Sequence, residues 1–299
     1  MNILVTGGTV FASRFTAEYF IEKGHNVYVL NRGNDEQSVG ALHIKADRHS
    51  LGDTLKKYRF DAVLDVTAYN AQDVKDLVDG LGEYGTYVLV SSSAVYPETL
   101  SQPFRENDLT GTNSIWGAYG TDKIAAEKYV TENISDHYII RPPYLYGPMN
   151  NVYREAFVFE CAERNMPFYL PKDGSMPLQF FHIRDMCSFM EILITKKPSE
   201  RIYNVGNKKT VSIKEWVTAC YEVCGKTPEF VSVSGNVPQR SYFPFYDYAY
   251  TLDVSRQDKL MPDKINLQAG LEESLQWYMN NKKKVKTKPF LSFIENNLT

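Results

Sequence analysis

The sequence predicts an α/β fold, a doubly wound parallel sheet, and three observations predict it. Short apolar runs alternate with helical patterns from Ile3 to Ile140. The runs are apolar throughout rather than on alternate residues, which suits strands covered on both faces. The first run stops at Thr6-Gly7-Gly8 and opens straight into a helical pattern. That arrangement brings helix N–H groups and bare backbone to one point, as a bound phosphate requires. With 299 residues and 43% hydrophobic content, the chain can fill the core of one large domain or two joined ones.

Ile3-Leu4-Val5 is the first strand, and Phe11 to Lys23 the helix after it, ended by Gly24. Asn26 to Leu30 is the second strand, closed by Asn31-Arg32-Gly33. His43 to Ala46 reads as a strand and Leu51 to Tyr58 as a short helix. Ala62 to Val66 is a buried strand, Ala71 to Leu81 a helix and Thr86 to Ser91 a strand. After a long loop come helix Tyr119 to Asn133 and strand Tyr138 to Ile140. Beyond Pro142 the texture changes, with more prolines, longer loops and denser aromatics. Residues 1–143 are therefore expected to form a dinucleotide-binding Rossmann domain, with 180–205 returning to it. Residues 144–299 are expected to be mainly a smaller, irregular substrate domain. Within it, Ile202 to Asn204 is a strand, and Ser212 with Glu215 forms a capping box for a helix through Cys224. A last helix starts near Leu271 and ends in a lysine-rich tail, where cations suit its dipole.

The formal net charge of −3 disfavours nucleic-acid and anionic-membrane partners. No apolar stretch reaches the roughly 18 residues of a membrane span. The opening Met1-Asn2-Ile3-Leu4-Val5 has no basic leader, and a cytoplasmic protein is expected. Cys161, Cys187, Cys220 and Cys224 form no CxxC pair and read as small apolar side chains rather than metal ligands. No metal is expected.

Chemistry enters at Tyr119-Gly120-Thr121-Asp122-Lys123. The i, i+4 spacing puts phenol and ammonium on one helix face. A phenol, with a pKa of about 10, is a poor base at neutral pH, and a nearby cation favours its ionised form. Such a tyrosine exchanges a proton with a hydroxyl or carbonyl while hydride moves to or from a nicotinamide.

Thr6-Gly7-Gly8-Thr9-Val10-Phe11-Ala12-Ser13 resembles the Gly-x-x-Gly-x-x-Gly loop of the extended short-chain dehydrogenase/reductase family, of the NAD-dependent epimerase/dehydratase type. Its three glycine places are held here by Gly7, Val10 and Ser13. Val10 disfavours positive φ, so a loop needing bare backbone there would bind its cofactor less tightly. Ser91-Ser92-Ser93-Ala94-Val95-Tyr96 resembles the family's Ser-Ser-x-x-Val-Tyr element, with Ser92 in the place of its catalytic Ser/Thr. Arg141 to Pro148 resembles the Arg-Pro-x-x-x-Tyr-Gly-Pro segment beside the nicotinamide. Phe181 to Asp185 and Tyr203 to Gly206 resemble two further family segments, in which His182 is structural.

The resemblance implies catalysis by Ser92, Tyr119 and Lys123. It implies a dinucleotide held by Gly7, Thr9, Val10, Phe11, Asn31, Arg32, Asp47, Thr67, Ala68 and Pro142 together with Tyr119 and Lys123. Asn31 and Arg32 stand where an acid would bind the ribose 2′-OH of NAD, so NADP is slightly favoured over NAD. Ser93 and Ala94 stand where dehydratases carry Asp-Glu, which leaves epimerisation or keto reduction. A nucleotide-sugar epimerase leads, and an NADP-dependent reductase of a keto-sugar or other carbonyl is the alternative. Ser93, Tyr144, Asn150, Asn151 and Arg240 are the expected substrate contacts. The Gly-Gly-Thr-x-Phe start, Leu30-Asn31-Arg32-Gly33 and Asp65 to Tyr69 also resemble chloroplast stem-loop RNA-binding relatives, a third reading without turnover. A homodimer through Asp73–Leu81 and Tyr119–Glu132 is implied by the resemblance alone.

Overall fold

The computed structural model describes residues 1–298. The first half of the chain forms β1 (Asn2–Thr6), α1 (Phe11–Glu22), β2 (Asn26–Asn31), β3 (Leu42–Lys45), β4 (Leu55–Asp65), α2 (Ala71–Gly80), β5 (Leu81–Val90), α3 (Ala118–Asn133) and β6 (His137–Arg141). Then follow β7 (Tyr144–Tyr146), α4 (Glu155–Glu163), β8 (Phe168–Pro171), β9 (Pro177–Leu178), β10 (Phe180–His182), α5 (Ile183–Lys196) and β11 (Ile202–Asn204). The remainder is β12 (Val211–Ser212), α6 (Ile213–Val223), β13 (Phe230–Val233), α7 (Ser255–Leu260), α8 (Leu267–Asn281) and α9 (Phe290–Asn297).

Seven strands make one parallel sheet in the order β11-β6-β5-β4-β1-β2-β3. Alternate residues of each strand serve opposite faces. Ile3, Val5, Val27, Val29 and Val88 pack with α1 and α5, while Leu4, Val63, Leu89 and Ile139 pack with α2 and α3. Each such fully buried side chain contributes about 1.5–3 kcal/mol relative to exposure. A third core, around Trp216, Phe180, Phe245 and Phe157, joins the elements that follow β6. The chain leaves β1 toward β2 on one side, and β4 lies on the other, so the topological switch point falls between β1 and β4. Open α/β sheets bind ligands at that place.

One predicted element is corrected. Residues 51–58, expected as a short helix, instead follow a 3₁₀ turn at Arg48–Ser50 and enter the long strand β4 at Leu55. The reason is the pairing of Leu55 with Leu81 and Arg59 with Glu83 in β5. Tyr58 and Phe60, at strand spacing, both pack edge-on against Tyr28. The capping box of α6 forms as Ser212 and Glu215 suggest, and α2 has its own from Asn70 and Asp73. The four cysteines are free thiols, with Cys161, Cys187 and Cys220 buried. Among the described residues no helix is long and apolar enough to cross a membrane.

Candidate active site

The carboxyl ends of β1, β2 and β4 open onto a cleft of about 310 Å³, whose walls include Gly7, Asn31, Arg32, Asp47 and Thr67. Gly7 and Gly8 have φ of +85° and +80°, which side chains rarely tolerate. A Cβ on Gly7 would lie 2.8 Å from both Ser13 Oγ and Thr67 Cγ2, and one on Gly8 only 2.5 Å from Val29 Cγ1. The turn thus presses its backbone against α1 and β2. Val10 is the residue before α1, with φ −134° and no side-chain cap. It needs no positive φ, and its side chain is exposed. Beyond the two glycines, the positive φ of the loop falls on Phe11, at 33°. With no side chain on them, the first amides of α1 remain available to an anion. Ser13 is small enough for the close approach and donates to the Val10 carbonyl at 3.0 Å. The cradle therefore fits a dinucleotide pyrophosphate.

Around it, Asn31 Nδ2 donates to the Gly7 carbonyl at 2.7 Å and to Gln37 at 2.8 Å, so its side chain holds the loop to the end of β2. Asp47 caps the 3₁₀ turn by accepting the His49 amide at 3.0 Å while lining the cleft. Arg32 is exposed at the rim. Arg48, which the sequence reading passed over, lies at the floor, its Nη2 2.9 Å from both oxygens of Asp65. Burial would raise the Asp65 pKa, but Arg48 holds it below the usual carboxylate range. On the other side of the loop, Thr9, Val10, Phe11 and Asn151 line a second cleft of about 460 Å³, closed by Trp277 and Lys286.

Ser92 follows β5 and caps the turn Ser93–Val95 by accepting the Ala94 amide at 3.2 Å. The Ser93 amide donates to the Pro142 carbonyl at 3.0 Å, tying this turn to the end of β6. Gly120 lets α3 close on the turn, because a Cβ there would stand 2.5 Å from the Ala94 carbonyl oxygen. That packing brings Tyr119 beside Ser92, whose hydroxyl interacts with the phenol. Tyr119 itself is 40% exposed. Lys123, one turn on, is 4% exposed and lies 6.0 Å from the Tyr119 ring centroid. Its Nζ donates to the carbonyls of Ala68 at 2.6 Å and Val90 at 2.9 Å. Burial lowers its pKa to about 8, against the pull of Asp65, Glu127 and Asp73.

The sequence reading expects Lys123 to draw the phenol down. In the polypeptide the phenol pKa is raised by burial, and the groups opposing this are Ser92 and Arg154. The ammonium is engaged by two carbonyls instead.

Arg154 is a second residue the sequence reading missed. Its guanidinium lies 5.1 Å from the Tyr144 ring and 5.6 Å from that of Phe245. Arg240 lies 4.7 Å from the Tyr246 ring and donates to the carbonyls of Phe243 and Pro244. Burial and then repulsion from Arg154 lower the Arg240 pKa, with Tyr246 opposing. Arg32, Arg154 and Arg240 have no carboxylate within ion-pairing distance among the described residues, whereas every other arginine has one. Buried Ser93 interacts with Tyr250, whose ring is 5.6 Å from that of Tyr144. Asn150, expected at the substrate, is turned inward: it is 3% exposed, and its side chain bonds Glu155 at 2.8 Å and the Val152 amide at 3.0 Å.

The model of the NAD dependent epimerase/dehydratase family matches residues 3–206. The chain is similar to the chloroplast stem-loop binding protein of 41 kDa b of Arabidopsis thaliana, at 26% identity over 91% of this chain and 78% of that protein. It is similar at 26% identity to the spore coat polysaccharide biosynthesis protein SpsK of Bacillus subtilis, over 78% of this chain and 83% of that one. Its fold is similar to that of a Bacillus anthracis dTDP-glucose 4,6-dehydratase in complex with NAD, with a TM-score of 0.73, 19% identity and coverage of 96% and 99%. A Thermotoga maritima UDP-glucose 4-epimerase with UDP-glucose gives a TM-score of 0.74 at 17% identity, covering 94% and 100%.

Proposed function

Because the chain belongs to the NAD dependent epimerase/dehydratase family, as an enzyme of the extended short-chain dehydrogenase/reductase type, we propose that it is an NAD(P)-dependent nucleotide-sugar epimerase working through a keto intermediate. The reading rests on one juxtaposition: the Ser92 hydroxyl, the Tyr119 phenol and the buried Lys123 ammonium stand together at the carboxyl end of β5. Backbone at Gly7, Thr9, Val10 and Phe11 would hold the pyrophosphate. Asn31, Arg32, Asp47, Thr67 and Ala68 would surround the adenosine, and Tyr119, Lys123 and Pro142 the nicotinamide side. Bound NAD(P) would supply the hydride acceptor. Tyr119 takes the proton of the sugar hydroxyl, Ser92 donates a hydrogen bond to the reacting oxygen, and Lys123 orients the pair with the N–H left over from its two carbonyls. With the keto-sugar turned in the site, Tyr119 would return the proton to its oxygen.

Arg154 and Arg240, two cations on an aromatic wall with no carboxylate within ion-pairing distance among the described residues, suit the diphosphate of a nucleotide sugar. Ser93, Tyr144 and Asn151 complete that side. Arg32, which lines the cleft beside Asn31 and Asp47, supports NADP because a guanidinium suits a 2′-phosphate. A homodimer through α2 and α3 is part of the same proposal.

A reductase is the second reading, favoured by Arg32 without an acid beside it. The likeness to a stem-loop binding protein supports a third, against which the net charge of −3 stands. Denaturing the purified protein and identifying the released dinucleotide separates them. Stoichiometric NAD(H) or NADP(H), with interconversion of UDP-sugar epimers, supports the epimerase. An empty protein that binds NADPH and reduces a keto-sugar replaces it with the reductase. A protein that binds neither dinucleotide but retains RNA on filters, with steep salt dependence, removes the enzymatic reading. Tyr119→Phe is expected to lower turnover by at least about 100-fold while dinucleotide binding persists. Unchanged turnover would withdraw the role given to Tyr119.

A further inference from the structure

The floor of the cleft holds a pair of opposite charges that the reaction above leaves unused. Asp65, the last residue of β4, is 0% exposed. It accepts Arg48 Nη2, Thr6 Oγ1 at 2.8 Å and the Tyr87 hydroxyl at 2.5 Å. Nε and Nη1 of Arg48 are buried with no hydrogen-bond partner. An ion pair left so incompletely satisfied is a poor source of stability, which asks for another reason for its presence.

Its surroundings supply one. Asp65 stands in register with Leu89, and the next residue of that strand, Val90, gives the carbonyl that receives Lys123. The other carbonyl, that of Ala68, lies three residues beyond Asp65 on the same chain. Thr6 Oγ1 accepts the amides of Val66 at 3.0 Å and Thr67 at 3.1 Å while donating to Asp65. One small assembly therefore fixes the carboxylate, the end of β4 and both carbonyls that position the lysine.

We propose that Asp65 is the internal counter-ion of Lys123, kept ionised by Arg48, and so a positioning residue for the Tyr119–Lys123 pair. This rests on the reading that Lys123 serves the reaction. Charged groups around the ammonium include Asp65 from β4, Glu127 from its own helix α3, Asp73 from α2 and Arg48 from the turn after β3. Tyr69 and Tyr119 present rings to it. Glu127 is bound to Arg141 and Ser91, and Asp73 to the amides of Tyr69 and Asn70 in its capping box. Of these carboxylates Asp65 is the one that is fully buried at the end of β4, in register beside the strand that carries the Val90 carbonyl. Burial favours the neutral acid, and Arg48, with the hydrogen bonds from Tyr87 and Thr6, holds the carboxyl below the usual carboxylate range. The buried carboxylate thus stands as a negative neighbour of Lys123.

The test is a titration of the full chain labelled with ¹³Cε-lysine and followed by NMR. The resonance absent from Lys123→Met identifies Lys123. Asp65→Asn is expected to move its midpoint down by at least about one pH unit. Asp65→Asn leaves a buried guanidinium unpaired, so the double variant Arg48→Met/Asp65→Asn is titrated beside it. A smaller downward shift is expected there, because the repulsion from Arg48 goes as well. A midpoint that stays put in whichever variant folds overturns the proposal. Calorimetric titration of the wild type with NADH and NADPH tests the underlying reading separately. Failure to bind either withdraws the role of Lys123 in the reaction, while the midpoint still reports on Asp65.

Discussion

Lys123 pays for its position, and pH reveals how much. Burial takes its pKa from the ordinary 10.5 to about 8. Between those values the unfolded chain keeps a proton that the folded chain has released, so stability rises with pH through that window. Replacing the lysine relieves a burial cost of about 3 kcal/mol at neutral pH, but leaves the carbonyls of Ala68 and Val90 without their donor, at about 1–3 kcal/mol each. Lys123→Met should therefore lie between about 1 kcal/mol more and about 3 kcal/mol less stable than the wild type at pH 7, and lose a further ~3 kcal/mol relative to it by pH 10.5. Urea denaturation at the two pH values measures this, and a difference independent of pH would contradict the assigned burial cost. Arg32 is the other telling residue. Arg32→Ala should weaken NADPH binding by about 10-fold or more and leave NADH nearly unchanged. Equal losses would show that the guanidinium does not meet a 2′-phosphate.

At the scale of elements, the cradle is a matter of backbone clearance. Gly8 combines φ +80° with a virtual Cβ 2.5 Å from Val29 Cγ1. Gly8→Ala is expected to cost about 2–4 kcal/mol, from left-handed strain and overpacking together. Guanidinium denaturation reads it, and a cost under about 1 kcal/mol would mean the turn relaxes away from β2. This loop, α3 and the strands β1, β2 and β5 were legible because their signals are local: apolar runs, turn glycines and the spacing of Tyr119 to Lys123. The start of β4 was not, since Leu55 to Phe60 are held extended by β5 and by Tyr28, which lie far away in sequence. Val10 was expected to strain a loop that needs positive φ there, but its backbone is extended and a positive φ falls on Phe11, one residue later. Arg48 and Arg154 had no spacing to announce them. Asn150 had a suggestive position, but its partner Glu155 is visible only once α4 is folded.

On the scale of the whole molecule, the parallel sheet is completed late. β6 is buried along its whole length between β5 and β11, and α5 covers the face that α1 shares. A fragment ending at residue 143 would expose both an unpaired strand edge and the apolar face beneath α5. It is expected to bind the dye ANS and melt without cooperativity, and a sharp melt would show that the first six strands suffice. The same feature bears on how the chain is born. From Pro143 to Asn204 there are 204 − 143 = 61 residues still to be made. At about 5–20 residues per second, the ribosome takes roughly 3–12 s to deliver them. For that interval the nascent first half is expected to expose its apolar sheet face, so a pause in translation within this stretch would be felt as lost yield rather than as an altered enzyme.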